Sequence, residues 1–188
     1  MNRNYLRGIG AGLFAAAAAV VLTQAAGAAV IVDPDEPTKA VTSDQYPALV
    51  DKLVHRGDYK QALAVIDEAL KQNPLSVQLR FQRCVAYEMM GDLPRARELY
   101  EDFIDRYPEI PEPYNNLARI YASQGDLDRA QSLVERSIAL RPSFALAYDN
   151  LGQIHLAKAR NAFASALANA PGNRQIEKRM KAVDAILK

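Results

Sequence analysis

Apolar residues recur at intervals of three and four along most of the chain beyond residue 43. The clearest run has two parts, separated by a break near residue 125. Its members are Tyr114, Leu117, Ala118 and Tyr121, followed by Leu127, Ala130, Val134 and Ile138. Residues at this spacing share one face of an α-helix, so the run predicts two amphipathic helices joined by a short turn. Such a pair buries one face on itself and the other on its neighbour, so the pairs are expected to stack.

The break between paired helices returns with a period of 34 residues. Three marks share this period: a Gly-Asp dipeptide, an alanine five residues after its glycine, and a proline. They stand at Gly57, Gly91 and Gly125, at Ala62, Ala96 and Ala130, and at Pro74, Pro108 and Pro142. Glycine reaches the left-handed conformation that ends a helix, and aspartate caps the helix that follows. The alanine lets two helices cross closely, and the proline ends the second helix.

This pattern resembles the tetratricopeptide repeat family, whose 34-residue unit is a helix–turn–helix. The residues that match best are Tyr114, Leu117, Ala118, Tyr121, Gly125, Asp126, Ala130 and Pro142, and the resemblance extends from Ser43 to about Pro171. It implies an all-α fold: a right-handed α-solenoid of antiparallel helix pairs in a domain covering 43–173. The units are 43–76, 77–110, 111–144 and a shortened 145–173. The chain is similar to exported, periplasmic members of this family from Gram-negative bacteria.

The sequence departs from the family pattern in its second unit. Arg80 stands where the family prefers a large aromatic residue, and Phe81 follows it directly. The sequence therefore does not determine which of these two positions packs against the second helix of this repeat.

The fourth unit is short because its turn is missing. Its pattern restarts at Tyr148, and His155 takes the place of a repeat tyrosine, but Pro171 comes early and no Gly-Asp precedes it. An apolar face continues through this stretch: Tyr148, Leu151, His155, Ala159, Ala162, Ala166 and Ala170. The spacing favours one continuous helix from about 144 to 170, whereas the alternative is a tighter turn near Ala157.

The last segment, 174–188, is predicted to be a C-terminal capping helix. Asn173 can cap it, and a stripe of apolar residues follows at helical spacing: Ile176, Met180, Val183 and Leu187. A repeat array needs a cover at its end, and folding back of this helix would supply one. The alternative is a homodimer in which the 145–188 helices of two copies pair.

The first 28 residues predict a secretory signal. Arg3 and Arg7 precede an uncharged, Ala-rich stretch, and Ala26-Gly27-Ala28 offers a cleavage site. The alternative is an uncleaved inner-membrane anchor that carries a periplasmic domain. Residues 29–42 hold two prolines and three acids and are expected to form a flexible leader. This places the protein in the periplasm, secreted across the inner membrane.

The charge and cysteine content of the sequence limit the partners and the cross-links that we expect. The formal net charge is +1, from 23 basic and 22 acidic residues, and removing the two signal arginines brings it to −1. A near-neutral chain lacks the basic footprint of a nucleic-acid partner. Cys84 is the one cysteine, so no disulfide can form within the chain, and we expect it to be buried.

No catalytic motif is recognisable in the sequence. His55 and His155 stand far apart without a metal-ligand pattern nearby, and His155 is expected to pack in the core. No phosphate-binding loop or nucleophile turn is present. The sequence therefore predicts a protein that is not an enzyme, with no cofactor, no metal and no small-molecule substrate.

The family resemblance implies a concave groove lined by the first helix of each pair. The inward positions that would contact a protein or peptide partner are Asp44, Asp51, Gln78, Phe81, Val85, Glu88, Asn115, Arg119, Asp149 and Gln153. Asp51 and Glu112 stand where capture of a free C-terminal carboxylate needs neutral or basic groups. The main hypothesis is an adaptor or scaffold in the bacterial envelope. A chaperone-like binder of exported polypeptides is the alternative, and an enzyme on a repeat scaffold is a remote one.

Overall fold

A computed structural model describes residues 23–25, 28–33 and 35–187, so most of the proposed signal lies outside the described residues. Helices dominate the described part of the chain. They are α1 Tyr46–Arg56, α2 Tyr59–Gln72, α3 Val77–Met90, α4 Leu93–Arg106, α5 Pro111–Ser123, α6 Leu127–Leu140, α7 Ala145–Asn169 and α8 Arg174–Ile186. Four short strands precede them: β1 Thr23–Ala25, β2 Ala28–Val30, β3 Val32–Asp33 and β4 Glu36–Ala40. The predicted all-α fold of helix pairs is confirmed.

The described residues fall into two compact structural units, each larger than one 34-residue repeat. The first unit is 23–106 and the second unit is 107–187. In the first unit, α1 packs on α2 and α3 packs on α4, while α3 also contacts α1 and α2. Its core combines apolar residues from both helices of the first pair with Leu79 from α3. The periodic alanines Ala62 and Ala96 are fully buried, as close helix crossing requires.

The turns follow the predicted chemistry in two of three repeats. Asp126 accepts a hydrogen bond from the Arg129 backbone N–H at 3.1 Å, and Asp92 accepts one from the Arg95 N–H at 3.2 Å. The corresponding Asp58 makes no side-chain cap, so the capping role expected there is wrong. The Asp58 backbone N–H donates to the Leu53 carbonyl at 2.9 Å, as the Asp92 and Asp126 N–H groups do to the Tyr87 and Tyr121 carbonyls at 3.0 Å in the other two turns.

The segment that precedes α1 differs from the expected flexible leader. β3 pairs antiparallel with β4, and the β1–β2 pair lies just before them. Ile31 is 1% exposed and belongs to the core cluster of the first helix pair. The Lys52 ammonium pairs with Asp33 at 2.7 Å and with Asp35 at 2.6 Å. Apolar burial and ion pairing therefore hold this segment against α1, despite its prolines.

The second unit contains α5 to α8. α5 packs on α6, α7 packs on both, and α8 packs on α7. α7 runs unbroken for 25 residues, in accord with the continuous helix predicted and not with a turn near Ala157. Asn173 caps α8 by accepting from the Gln175 and Ile176 backbone N–H groups, as expected. None of the side chains of α8 is fully buried.

The buried face of α7 differs by one position from the predicted face. Ala147 and Ile154 are buried, whereas Tyr148 is 50% exposed and His155 is exposed. The expectation that His155 packs in the core is therefore wrong. α8 packs on α7 and its Asp184 pairs with Arg160 at 2.6 Å, while Tyr148 and His155 in the first half of α7 stay exposed.

Two further findings concern the described residues. None of their helices combines the length and apolarity needed to cross a membrane. Cys84 is 2% exposed, which confirms its predicted burial, and burial raises the pKa of its thiol to about 12.

Candidate functional site

The ten predicted contact residues divide between the two units, six in the first and four in the second. Those in the first unit are Asp44, Asp51, Gln78, Phe81, Val85 and Glu88, and those in the second are Asn115, Arg119, Asp149 and Gln153. Each unit therefore carries its own set of predicted contact residues.

In the first unit, four of the predicted residues come together around a cleft of about 330 Å³ between α1 and α3. Its lining consists of Asp51 and Val54 from α1 with Gln78, Phe81, Gln82 and Val85 from α3. Val54 and Gln82 were not among the predicted contacts. Asp51 and Val54 are three apart, and Gln78, Phe81 and Val85 step by three and four, so each helix presents one face to the cleft.

Phe81 belongs to both the cleft and the packing of the second pair. Its ring lies 6.2 Å from the Tyr100 ring and 5.7 Å from the Phe103 ring, both on α4, in tilted arrangements. Arg80 does not replace an aromatic residue; its guanidinium donates to the Pro74 carbonyl at 2.7 Å. The one-residue ambiguity of the sequence is thus resolved in favour of Phe81.

Gln82 ties α3 to α1 beneath the cleft. It is 6% exposed, and its Nε2 donates to the Pro47 carbonyl at 2.8 Å and to Asp51 Oδ1 at 2.6 Å. Its Oε1 is buried and lacks a hydrogen-bond partner among the described residues. A buried acceptor without a donor is unfavourable by about 1–3 kcal/mol.

Asp51 carries the negative charge of the cleft. The residue is exposed, and no lysine or arginine in the described ranges forms an ion pair with it. Glu88, on the same helix as the cleft residues of α3, is engaged elsewhere, since the Tyr100 hydroxyl donates to its Oε2 at 2.8 Å. Asp44 is exposed in the turn before α1 and does not line the cleft.

In the second unit, the four predicted contact residues differ in their exposure to solvent. Asn115 is 0% exposed, and its Oδ1 accepts from Asn150 Nδ2 at 2.7 Å. Its amide therefore links α5 to α7 inside the protein and is not presented to a partner. Arg119, Asp149 and Gln153 are exposed on α5 and α7. None of these residues belongs to the cleft of the first unit.

Glu112 was predicted to prevent capture of a free carboxylate. Its carboxylate pairs with the Arg141 guanidinium, and Arg141 also lies over the Phe144 ring, 4.4 Å from its centroid. In the described part of the chain, no group of three or more His, Cys, Asp or Glu side chains is arranged to hold a metal ion.

Comparison with protein families gives one match. The model described as "Tetratricopeptide repeat" matches three overlapping stretches, residues 48–111, 86–143 and 115–174. Together these stretches run from 48 to 174, well over half of the chain. Among curated proteins, no relative matches the sequence.

Several solved structures resemble this chain. The first tetratricopeptide domain of human RPAP3 has a TM-score of 0.57 and 19% identity, covering 62% of this chain and 92% of that domain. The MamA protein has a TM-score of 0.55 and 21% identity, covering 75% of this chain and 80% of MamA. The first repeat domain of Spaghetti (RPAP3), bound to the HSP90 peptide SRMEEVD, has a TM-score of 0.56 and 19% identity, covering 62% and 93%. At these identities the likeness shows a shared fold.

Proposed function

Because the chain belongs to the tetratricopeptide repeat family, we propose that it is a non-catalytic interaction module that binds an extended segment of a partner protein. The observation that carries this proposal is the cleft between α1 and α3, where apolar and polar side chains line one open surface. A cleft that joins apolar area to a few placed polar groups suits a peptide whose side chains are of mixed character.

The structural neighbours support a peptide as the partner. One of them is a repeat domain of the same fold bound to the HSP90 peptide SRMEEVD. That peptide carries three acidic residues, whereas the cleft of this chain is lined by Asp51 and by no basic side chain. The partner of this chain is therefore proposed to differ in charge from that peptide.

We further propose that the protein works in the bacterial envelope as an adaptor or scaffold. The support is the sequence of residues 1–28, where a basic start precedes an apolar stretch and a small-residue exit. A chaperone-like binder of exported polypeptides is the alternative role. The two roles differ in their clients: a scaffold binds one partner in fixed proportion, and a chaperone binds many unfolded chains.

Self-association is a separate proposal, favoured by the exposed apolar side chains of the last helices. Leu146 and Tyr148 are 48% and 50% exposed on α7, and Ile186 is 62% exposed on α8. Sedimentation at micromolar concentration checks it: a dimer that Tyr148→Ser converts to a monomer supports pairing, and a monomer throughout contradicts it.

The interaction module is tested by cross-linking and affinity capture from envelope extract with three forms of the protein. The wild-type chain is compared with Val85→Arg, which places a bulky charge in the cleft, and with Leu75→Arg, a matched change at a residue that is 80% exposed and outside the cleft. We expect Val85→Arg to lose a stoichiometric partner that Leu75→Arg retains. Equal capture by all three forms would contradict binding at the cleft.

A further inference from the structure

The cleft between α1 and α3 has apolar walls and one charged group. Val54, Phe81 and Val85 supply the apolar surface, and Asp51 supplies a carboxylate. A side chain that fills such a space favourably has an apolar stem and a polar or charged end. The sign of the charge in the cleft then determines which charge at the end of the bound side chain is complementary to it.

The amide orientation of Gln82 is fixed by its two neighbours. Its Nε2 lies within hydrogen-bond distance of the Pro47 carbonyl and of Asp51 Oδ1, and both of these oxygens accept. Turning the amide over would place Oε1 against two acceptors, so Nε2 must face them. As a result Oε1 is left without a donor in the described structure.

Asp51 differs from several carboxylates of its unit in that its side chain pairs with a neutral group. Asp33 and Asp35 pair with Lys52, and Asp67 pairs with Arg83, so these acids have cations beside them. The partner of Asp51 is the neutral amide of Gln82. Its charge is held in place without being neutralised, and it borders the cleft.

We propose that this cleft recognises a lysine or arginine side chain of the bound segment. This inference rests on the proposed function and names the partner's chemistry at the same site. The aliphatic stem packs between Val54 and Val85, and the cationic head pairs with Asp51. Phe81 lines the same cleft, and an aromatic face adds attraction for a cation.

Gln82 holds the carboxylate that would accept from the cationic head, because its Nε2 donates to Asp51 Oδ1 at 2.6 Å. An ammonium has three N–H donors and a guanidinium has five, so a cationic head can donate to Asp51 while Gln82 Nε2 keeps its hydrogen bond to Asp51 Oδ1. An acidic or C-terminal carboxylate would gain nothing here, since the residues that line the cleft include no basic side chain.

The test uses N-acetylated, C-amidated nonapeptides, so that neither terminus contributes a charge. Peptides of varied sequence are screened for binding to the full chain by fluorescence anisotropy. The tightest binder is then remade with arginine replaced by citrulline, or lysine by norleucine, which removes the charge and retains the stem. We expect this change to weaken binding about tenfold, the lower end of the range for a hydrogen bond to a charged group.

The same pair of peptides is measured against Asp51→Asn and Asp105→Asn. The asparagine amide in Asp51→Asn retains an oxygen that accepts from Gln82, so this change removes the charge with little effect on the contact between α1 and α3. Asp105 is exposed on α4 and lies outside the cleft, which makes it a charge-matched control. We expect the charged and neutral peptides to differ less than twofold with Asp51→Asn, and about tenfold with Asp105→Asn.

The outcomes separate this inference from the proposed function. A tightest binder without lysine or arginine overturns the cationic specificity and leaves peptide binding in place. Binders whose affinity does not fall when their cation is neutralised, or falls equally with Asp51→Asn and wild type, do the same. A screen in which no peptide binds overturns both proposals.

Discussion

The third and fourth repeats carry corresponding residues on their first helices, but only those of the third repeat are buried. Tyr114 and Tyr121 on α5 are 9% and 8% exposed, and 34 residues later Tyr148 is 50% exposed and His155 is exposed. In the third repeat, the chain reverses at the Gly-Asp turn, and α6 packs antiparallel to α5. In the fourth repeat the turn is missing and α7 continues. The outer face of the first half of α7 is exposed. The missing turn thus goes with a longer helix, 25 residues in α7 against 13 in α5, and with greater exposure of the first half of that helix.

The beginning of the array gives a second contrast with its end. The segment before α1 adds an apolar side chain to the core, Ile31, and two carboxylates that pair with Lys52. α8, the corresponding cover at the other end of the chain, has no fully buried side chain. Cover at the first pair is therefore built from burial and charge, whereas cover at the last pair is partial.

The largest expected effect separates Tyr114 from Tyr148. Tyr114→Ala empties a buried ring site and removes the hydrogen bond from the tyrosine hydroxyl to the Pro108 carbonyl, at 3.2 Å. We expect it to lower the free energy of unfolding by about 3–5 kcal/mol. Tyr148→Ala should lower it by only about 0.5 kcal/mol, as for other surface changes. Urea denaturation followed by circular dichroism measures both, and similar losses would show that Tyr148 is covered in solution.

A smaller loss is expected from Ile31→Ala. The substitution leaves a cavity in the core of the first pair, and we expect a cost of about 2–3 kcal/mol in the free energy of unfolding. Leu75→Ala, at a side chain that is 80% exposed, serves as the control and should change little. If both variants unfold alike, the segment before α1 contributes no cover.

Glycine substitutions distinguish the turn that is present from the turn that is missing. Gly125 has φ +85°, so Gly125→Ala should destabilise the protein by about 1 kcal/mol. Gly152 lies inside α7 with no atom within 4 Å of an added Cβ, so Gly152→Ala should stabilise it by about 0.5–1 kcal/mol. Thermal melts of the two variants should shift in opposite directions. A destabilised Gly152→Ala would mean that α7 bends at this point in solution.

The smallest effect concerns the charges that hold the segment before α1. The hydrogen bonds that Arg56 and Lys52 donate to Asp35 hold the pKa of its carboxyl well below the usual range. A lowered pKa in the folded state stabilises the fold above the unfolded pKa, near 4, and this stabilisation is lost as pH falls through the folded pKa. Asp35→Asn should therefore be less stable than wild type at pH 7, with the difference shrinking at acidic pH. A gap that is constant from about pH 7 to about pH 2 would exclude the ion pairs as its cause.

Sequence periodicity was sufficient for the helix pairs and for the unbroken α7, because glycine, alanine and proline mark turns and crossings directly. It missed the inward position of Ile31, since a Pro- and Asp-rich stretch around a short apolar run is typical of a loop. It placed His155 in the core by analogy with Tyr121, although burial there depends on a second helix that the unit lacks. Four of the six cleft residues were predicted from the family pattern. Gln82 was missed because a glutamine between apolar positions gives no signal of its role.

We propose that a partner binds at the cleft between α1 and α3 and not at the open face of α7. Backbone amide NMR during titration with the tightest nonapeptide tests it directly. We expect the largest shift changes at Asp51, Gln78, Gln82 and Val85, with Leu146 and Tyr148 unchanged. Shift changes concentrated at Leu146 and Tyr148, with the α1–α3 cleft unaffected, would contradict the claim.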